Sequence, residues 1–191
     1  MKNIRIIRVM QVVAGVSVAA MIFLVGTAWD LFRGLDHHMA EQEKMSNTVM
    51  HMTQTRIHTS QMEQFVTDAG VTGDAQSLVE AQDHMQRALA DLDAVAGNEP
   101  AMKAEIDVAR QTLSQLYATG RKMADLYMQK GREAGNELMK AKTVGFDDQM
   151  ALVEANLQRL VEKLDVLREN ENRQLVQKKN QAAWIIISLG L

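Results

Sequence analysis

RGLDHHMAEQEKMSNTVMHMTQTRIHTSQMEQFVTDAGVTGD, residues 33–74, decides the fold. Leu35, Met39, Met45, Val49, Met52, Thr59, Met62 and Val66 recur mostly at steps of three and four. That spacing marks one face of a long helix, and no segment alternates with the two-residue period of a strand. Gly70-Val71-Thr72-Gly73 interrupts the pattern, and Asp74 is placed to cap the helix that follows.

The same rhythm continues outward. Residues 75–96 carry Leu78, Ala81, Met85, Ala88, Leu92 and Val95, and Gly97-Asn98-Glu99-Pro100 closes them. Pro100 suits the first position of a third helix, where a missing N–H costs nothing. Residues 101–130 carry Met102, Ile106, Ala109, Leu113, Leu116, Met123 and Tyr127. Residues 148–181 carry Met150, Val153, Leu157, Leu160, Leu164 and Leu167. Four narrow seams of this kind predict an all-α fold, an antiparallel up-down four-helix bundle.

Length adds a constraint. The first and fourth helices match in reach, but one straight helix over 101–142 would overshoot the distal tip by ~30 Å at 1.5 Å per residue. The third helix is therefore expected to end or kink near Gly131, with 136–143 as a distal excursion before Val144-Gly145-Phe146-Asp147. The seam phase persists through Gly131, Ala134 and Leu138, so a continuous helix is the alternative. Gly120, Gly131, Ala134 and Gly135 lie on or beside this seam and suggest close backbone approach, a helix break, or room for a guest.

On the N-terminal side, residues 9–29 (VMQVVAGVSVAAMIFLVGTAW) carry no charge. As a helix they reach roughly 31 Å, the thickness of a bilayer core. Lys2, Arg5 and Arg8 precede them and should stay cytoplasmic, while Trp29 and Phe32 stand where interfacial anchors belong. A cleaved signal peptide is the competing reading, since Gly26-Thr27-Ala28 resembles a cleavage site, but the apolar run exceeds an ordinary signal core. Residues 182–191 are again apolar and read as the start of a second span. A hydrophobic tail on a soluble helix is the alternative. The expected organisation is thus 1–8 cytoplasmic, 9–32 transmembrane, 33–181 exported bundle and 182–191 a truncated second transmembrane helix.

Composition excludes several functions. Zero cysteines remove disulfides, thiolate metal sites, a thiol nucleophile and covalent c-type haem. All 24 acids fall between residues 30 and 181, so the middle of the chain is acidic and offers no footprint for nucleic acid. No GxSxG, P-loop, GxGxxG or HExxH occurs, and the chain reads as non-enzymatic, with no catalytic residue, metal or cofactor. His51 and His58 lie two turns apart, too far for one metal, and read best as part of a solvated polar face. A non-covalent haem on His51, His58 or His84 is the remaining redox reading. The many methionines read as adaptable core filler.

One constellation stands out. Arg56 falls in step with Met52 and Thr59 and is expected to point toward the core or an interface. Folding the second helix back sets Arg56 and His58 level with His84 and Arg87, with Tyr127 and Arg159 at a similar height. Such a basic layer would hold a small anionic ligand such as a carboxylate by paired hydrogen bonds. The competing reading is internal neutralisation by Glu63, Asp83 and Asp91.

This layout resembles the input half of a bacterial methyl-accepting chemotaxis receptor with a four-helix-bundle ligand-binding domain. Local phrases carry the likeness: Gln64-Phe65-Val66-Thr67-Asp68-Ala69, and Gly131-Arg132-Glu133-Ala134-Gly135-Asn136 with Gly145-Phe146-Asp147. The resemblance implies a multi-pass protein of the bacterial inner membrane with a periplasmic sensor. It also implies a homodimer joined through the first helix, a ligand near that interface, and signalling by a piston-like shift of the fourth helix. Amino-acid receptors of the family grip the ligand with several arginines on the first helix, whereas this chain has Arg56 alone beyond the membrane-proximal Arg33. Sensor histidine kinases and diguanylate cyclases share the input module. A membrane-tethered interaction bundle without a small-molecule ligand is the alternative from another class.

Overall fold

The structure, a computed structural model, describes residues 2–189, with side chains described except at 2–5, 30–32, 35–37, 182 and 185–189. The side chains of Phe32, Leu35 and His37, and the end of the second apolar stretch, lie outside the described residues. Among the described residues the chain is all helical, with no strand. Helix α1 spans Lys2–Thr72, α2 Ala75–Asn98, α3 Lys103–Lys130, α4 Arg132–Met139 and α5 Phe146–Leu189, with a single 3-10 turn at Pro100–Met102.

The breaks have local causes. Gly73 turns to φ 75°, a left-handed conformation that glycine adopts without a Cβ clash, and its N–H closes α1 on the Ala69 carbonyl at 2.9 Å. Asp74 then accepts from the Gln76 N–H at 2.9 Å, the expected N-cap. Pro100 opens the 3-10 turn. Gly131 ends α3 at φ 86° and ψ -178°, so the break falls where the sequence places it. The segment after it is not a loose excursion: 132–139 form the separate helix α4. Asp147 and Asp148 occupy the first turn of α5, and Asp148 accepts from the Thr143 N–H at 2.6 Å.

The chain divides into two compact units, residues 1–43 with 173–191, and residues 44–172. In the first, Ile6–Trp29 is the one helical stretch among the described residues long and apolar enough to cross a membrane. Its side chains are almost all apolar and almost all exposed, with Arg8 its only charge. The Arg33 guanidinium lies 5.5 Å over the Trp29 ring, a cation–π contact of ~0.5–1 kcal/mol at such exposed sites. Met39, expected on the seam, is exposed, and the buried run of α1 starts only at Met45.

The second unit has one core. α1 supplies Met45, Met52, Met62 and Val66, and α2 supplies Ala81, Ala88, Leu92 and Val95. α3 adds Ile106, Leu113, Leu116 and Met123, and α5 adds Phe146, Val153, Leu157, Leu160 and Leu164. Truncating one such leucine to alanine typically costs ~2–5 kcal/mol, because the cavity refills only in part. Gly120 makes room at one end: a Cβ there would meet Phe146 Cε2 at 2.6 Å and Val66 Cγ1 at 2.8 Å. Thr48, Thr55 and Thr59 are also buried, and each hydroxyl donates to the carbonyl one turn back, so none of these three hydroxyls enters the core unpaired.

Candidate functional site

Helices α1 and α2 run antiparallel in a register read directly from their side-chain pairs. Lys44 meets Glu99 at 3.3 Å, His51 meets Asp91 at 2.8 Å, and His58 meets His84 at 3.0 Å. On α1 these rungs are seven residues apart, and one further step brings Phe65, whose ring stacks on His84 at 5.4 Å and 9°. His58 and His84 bond through their Nδ1 atoms, so one ring donates and the other accepts. Burial pushes the His84 imidazole below its ordinary range, and neighbouring His58 adds to the push while Asp83 opposes it. Nδ1 atoms this close leave no space for a porphyrin between the rings, which disfavours haem at this pair.

The five residues expected to share one ligand layer separate into four places. His58 and His84 come together. Arg87 instead turns along its own helix to Asp83 at 2.8 Å, an exposed pair that the neutralisation reading expected, while Asp91 takes His51, which the sequence places on a solvated polar face. Tyr127 lies beyond reach of both: its ring packs on Gly70 and Gly135, and its hydroxyl donates to Asn136 at 2.5 Å. Gly70 stands fourteen residues beyond Arg56 on α1, about 21 Å at 1.5 Å per residue. Tyr127 is thus a pin between α3 and α4.

Arg56 corrects a second expectation. The inward face of α1 steps three residues from Met52 to Thr55, then four to Thr59, and both threonines are buried. Arg56 therefore lies one position off that face and is exposed. It stands over the seam between α1 and α5, between two hollows. The smaller, about 280 Å³, is mostly apolar, with Val49, Met52, Val161 and Leu164 beside Asp165. The larger, about 690 Å³, is lined by Arg56, Thr59, Ser60 and Glu63 from α1 and by Met150, Glu154 and Gln158 from α5. Among the described residues Arg56 makes no ion pair. Burial raises the Glu63 carboxyl above its ordinary range, and Glu154 and then Asp147 raise it further by like charge.

This groove sets one unpaired guanidinium and two facing carboxylates around a partly apolar floor. The sequence points to Arg56, and to Glu63 only as a neutralising acid, and gives no sign of Glu154 and Gln158 as companions in the groove. Glu63 lies seven residues from Arg56, on the same side of α1, which is the signal that could have found it. The α5 residues depend on how α5 slides against α1, which spacing within either helix does not encode. No protein-family model matches the chain, and neither does any curated protein or solved structure.

Proposed function

We propose that the chain is the membrane-anchored input module of a bacterial sensory receptor of the chemoreceptor kind, and not an enzyme. In this reading residues 33–181 are an antiparallel four-helix bundle on the periplasmic side of the inner membrane. Residues 9–32 and the stretch from 182 onward are the spans that flank it. The observation that carries the reading is Arg56, unpaired at the mouth of the α1–α5 groove and faced by Glu63 and Glu154. A guanidinium pairs with a carboxylate through two parallel hydrogen bonds. The two glutamates repel a purely anionic guest and attract an ammonium group. The ligand chemistry that fits is a small carboxylate carrying an amine.

The route out of the groove is α5, one helix from Phe146 to Leu189. A ligand bridging α1 and α5 shifts a two-state arrangement of these helices by its differential affinity for the two states. Sensor histidine kinases and diguanylate cyclases would use the same input, so the reading is of the module and not of its output.

Homodimerisation through α1 has its own support. Positions 46, 50, 53, 57, 60, 64, 67 and 71 form a stripe at three- and four-residue steps, all exposed and all uncharged. Met50, Ile57 and Val71 are its apolar members, 47%, 50% and 76% exposed. An uncharged heptad stripe on an acidic domain suits a second copy of the same helix.

Two experiments test the reading. Alkaline phosphatase inserted between Lys142 and Thr143 should be active in cells, because the loop lies outside; an inactive fusion contradicts the orientation. Thermal-shift screening of the full chain in detergent against amino acids, amines and carboxylates should find stabilisers among the zwitterions. A ligand at 100 times its dissociation constant adds ~2.7 kcal/mol. Equal indifference to all three classes contradicts the reading.

A further inference from the structure

We propose that His58 and His84 form a two-histidine binding site for a divalent transition-metal ion of square or octahedral preference, Cu²⁺ or Ni²⁺. The two Nδ1 atoms stand 3.0 Å apart on different helices. Imidazole nitrogens bind first-row divalent ions at ~2.0–2.1 Å. Two such bonds spanning this separation enclose an angle of roughly 94° at the metal. That is near the cis angle of tetragonal Cu²⁺ or Ni²⁺ sites, and among first-row divalent ions a nitrogen site without thiolate binds Cu²⁺ most tightly.

The surroundings suit the exchange. In the metal-free pair a single N–H bridges the two nitrogens. On binding, that proton leaves Nδ1 through solvent and returns to the outer Nε2 of the same ring. Two neutral imidazoles then offer two Nδ1 lone pairs to the ion, and no charge other than the metal's is added. In the metal-free pair the two Nδ1 atoms point at each other, with ring centroids 5.2 Å apart, so both rings must turn to aim their lone pairs at one ion. Phe65, stacked on His84, covers one face of that ring and limits its tilt. Asp83 and Glu80 act on His84 as negative charges and favour a cation, while Arg87, already held by Asp83, opposes it.

Among the described residues no third histidine, aspartate or glutamate joins the pair. The protein thus supplies two ligands, and water or a chelating small molecule takes the other positions. The absence of cysteine removes the softer ligand that would otherwise compete for copper. The site lies on the α1–α2 seam and does not depend on Arg56 or on the proposed groove.

The test is titration of the full chain in detergent with CuSO₄, NiCl₂ and ZnCl₂, followed by calorimetry. One equivalent of Cu²⁺ or Ni²⁺ should bind, with Ni²⁺ no weaker than Zn²⁺. H58Q and H84Q should each weaken binding at least tenfold, while H38Q and H51Q leave it unchanged. Circular dichroism of the metal-free variants verifies that they fold. As a measurement that needs no variant, electron paramagnetic resonance of the Cu²⁺ complex should show two equatorial nitrogens. Unaltered affinity in H58Q or H84Q, a spectrum without paired nitrogens, tighter Zn²⁺ than Ni²⁺ binding, or no binding would each overturn the proposal.

Discussion

Gly135 lies flat against the ring of Tyr127, so close that a Cβ at this position would overlap the ring atoms. α4 can fold over α3 only because residue 135 has no side chain, and the Tyr127 hydroxyl then reaches Asn136. On helix propensity alone, Gly135→Ala would stabilise by ~1 kcal/mol. The ring reverses the sign. G135A should lower the melting temperature, with a cost of ~1–3 kcal/mol from overpacking. Thermal denaturation of the full chain checks this, and a rise in melting temperature would mean the contact is absent.

Gly131 and Gly97 make a matched pair of opposite sign. Gly131 holds φ 86° with ψ -178°, a region essentially reserved for glycine, so G131A should cost ~1–3 kcal/mol although no atom stands near its Cβ position. Gly97 lies near the end of α2 with nothing within 4 Å of an added Cβ. G97A should stabilise by up to ~1 kcal/mol. Melting temperatures measured side by side separate backbone strain from packing.

These glycines also mark what the sequence alone could say. Gly73, Pro100 and Gly131 end or start helices through their own backbone chemistry and Asp74 through its side-chain cap, and each is readable in isolation. Most buried seam residues were readable too, because a helix face repeats. Arg56 was misplaced because Met52 has two continuations, three residues to Thr55 or four to Arg56, and hydrophobicity does not choose between an arginine and a threonine. The buried threonines satisfy their hydroxyls on their own helix, which a pattern search does not see. Tyr127 was assigned to the wrong height because the offset of α3 against α1 depends on how Gly70 and Gly120 admit neighbouring rings. The groove arises from the same inter-helix register, so only its α1 side had a trace in the sequence.

Glu63 gives a pH dependence of definite sign. Its carboxyl titrates above 4.5 in the folded chain, chiefly from burial and then from Glu154. The folded state therefore keeps a proton that the unfolded chain has released. Stability from this group is present below about pH 4.5 and is lost as pH rises through the higher folded value. Wherever Glu63 is ionised in the folded chain it is a net cost, reduced by solvent because the group is half-buried. E63Q should raise the melting temperature by about 1–2 °C at pH 7, a fraction of the ~2–4 °C expected per kcal/mol at this size. At pH 4 it should leave the melting temperature unchanged. A larger gain at pH 4 than at pH 7 would contradict the assignment.

Ile57 tests the α1 stripe. It is half-exposed in the single chain, beside the polar Thr53 and Ser60. I57D places a charge at the centre of the proposed two-copy contact, on an exposed side chain that also borders both hollows beside Arg56. Size-exclusion chromatography with light scattering in detergent should show the wild type as a dimer and I57D as a monomer with unchanged helix content. A monomeric wild type, or a fully dimeric I57D, would remove α1 as the contact.

The central claim is that Arg56 and Glu63 hold a small amine-bearing carboxylate between α1 and α5. Calorimetric titration of the full chain in lipid nanodiscs with the best zwitterion from screening measures it directly. The account predicts saturable binding that R56A weakens at least tenfold, ~1.4 kcal/mol, and that R56K restores in part. Binding of equal strength in R56A, or none in the wild type, would contradict it.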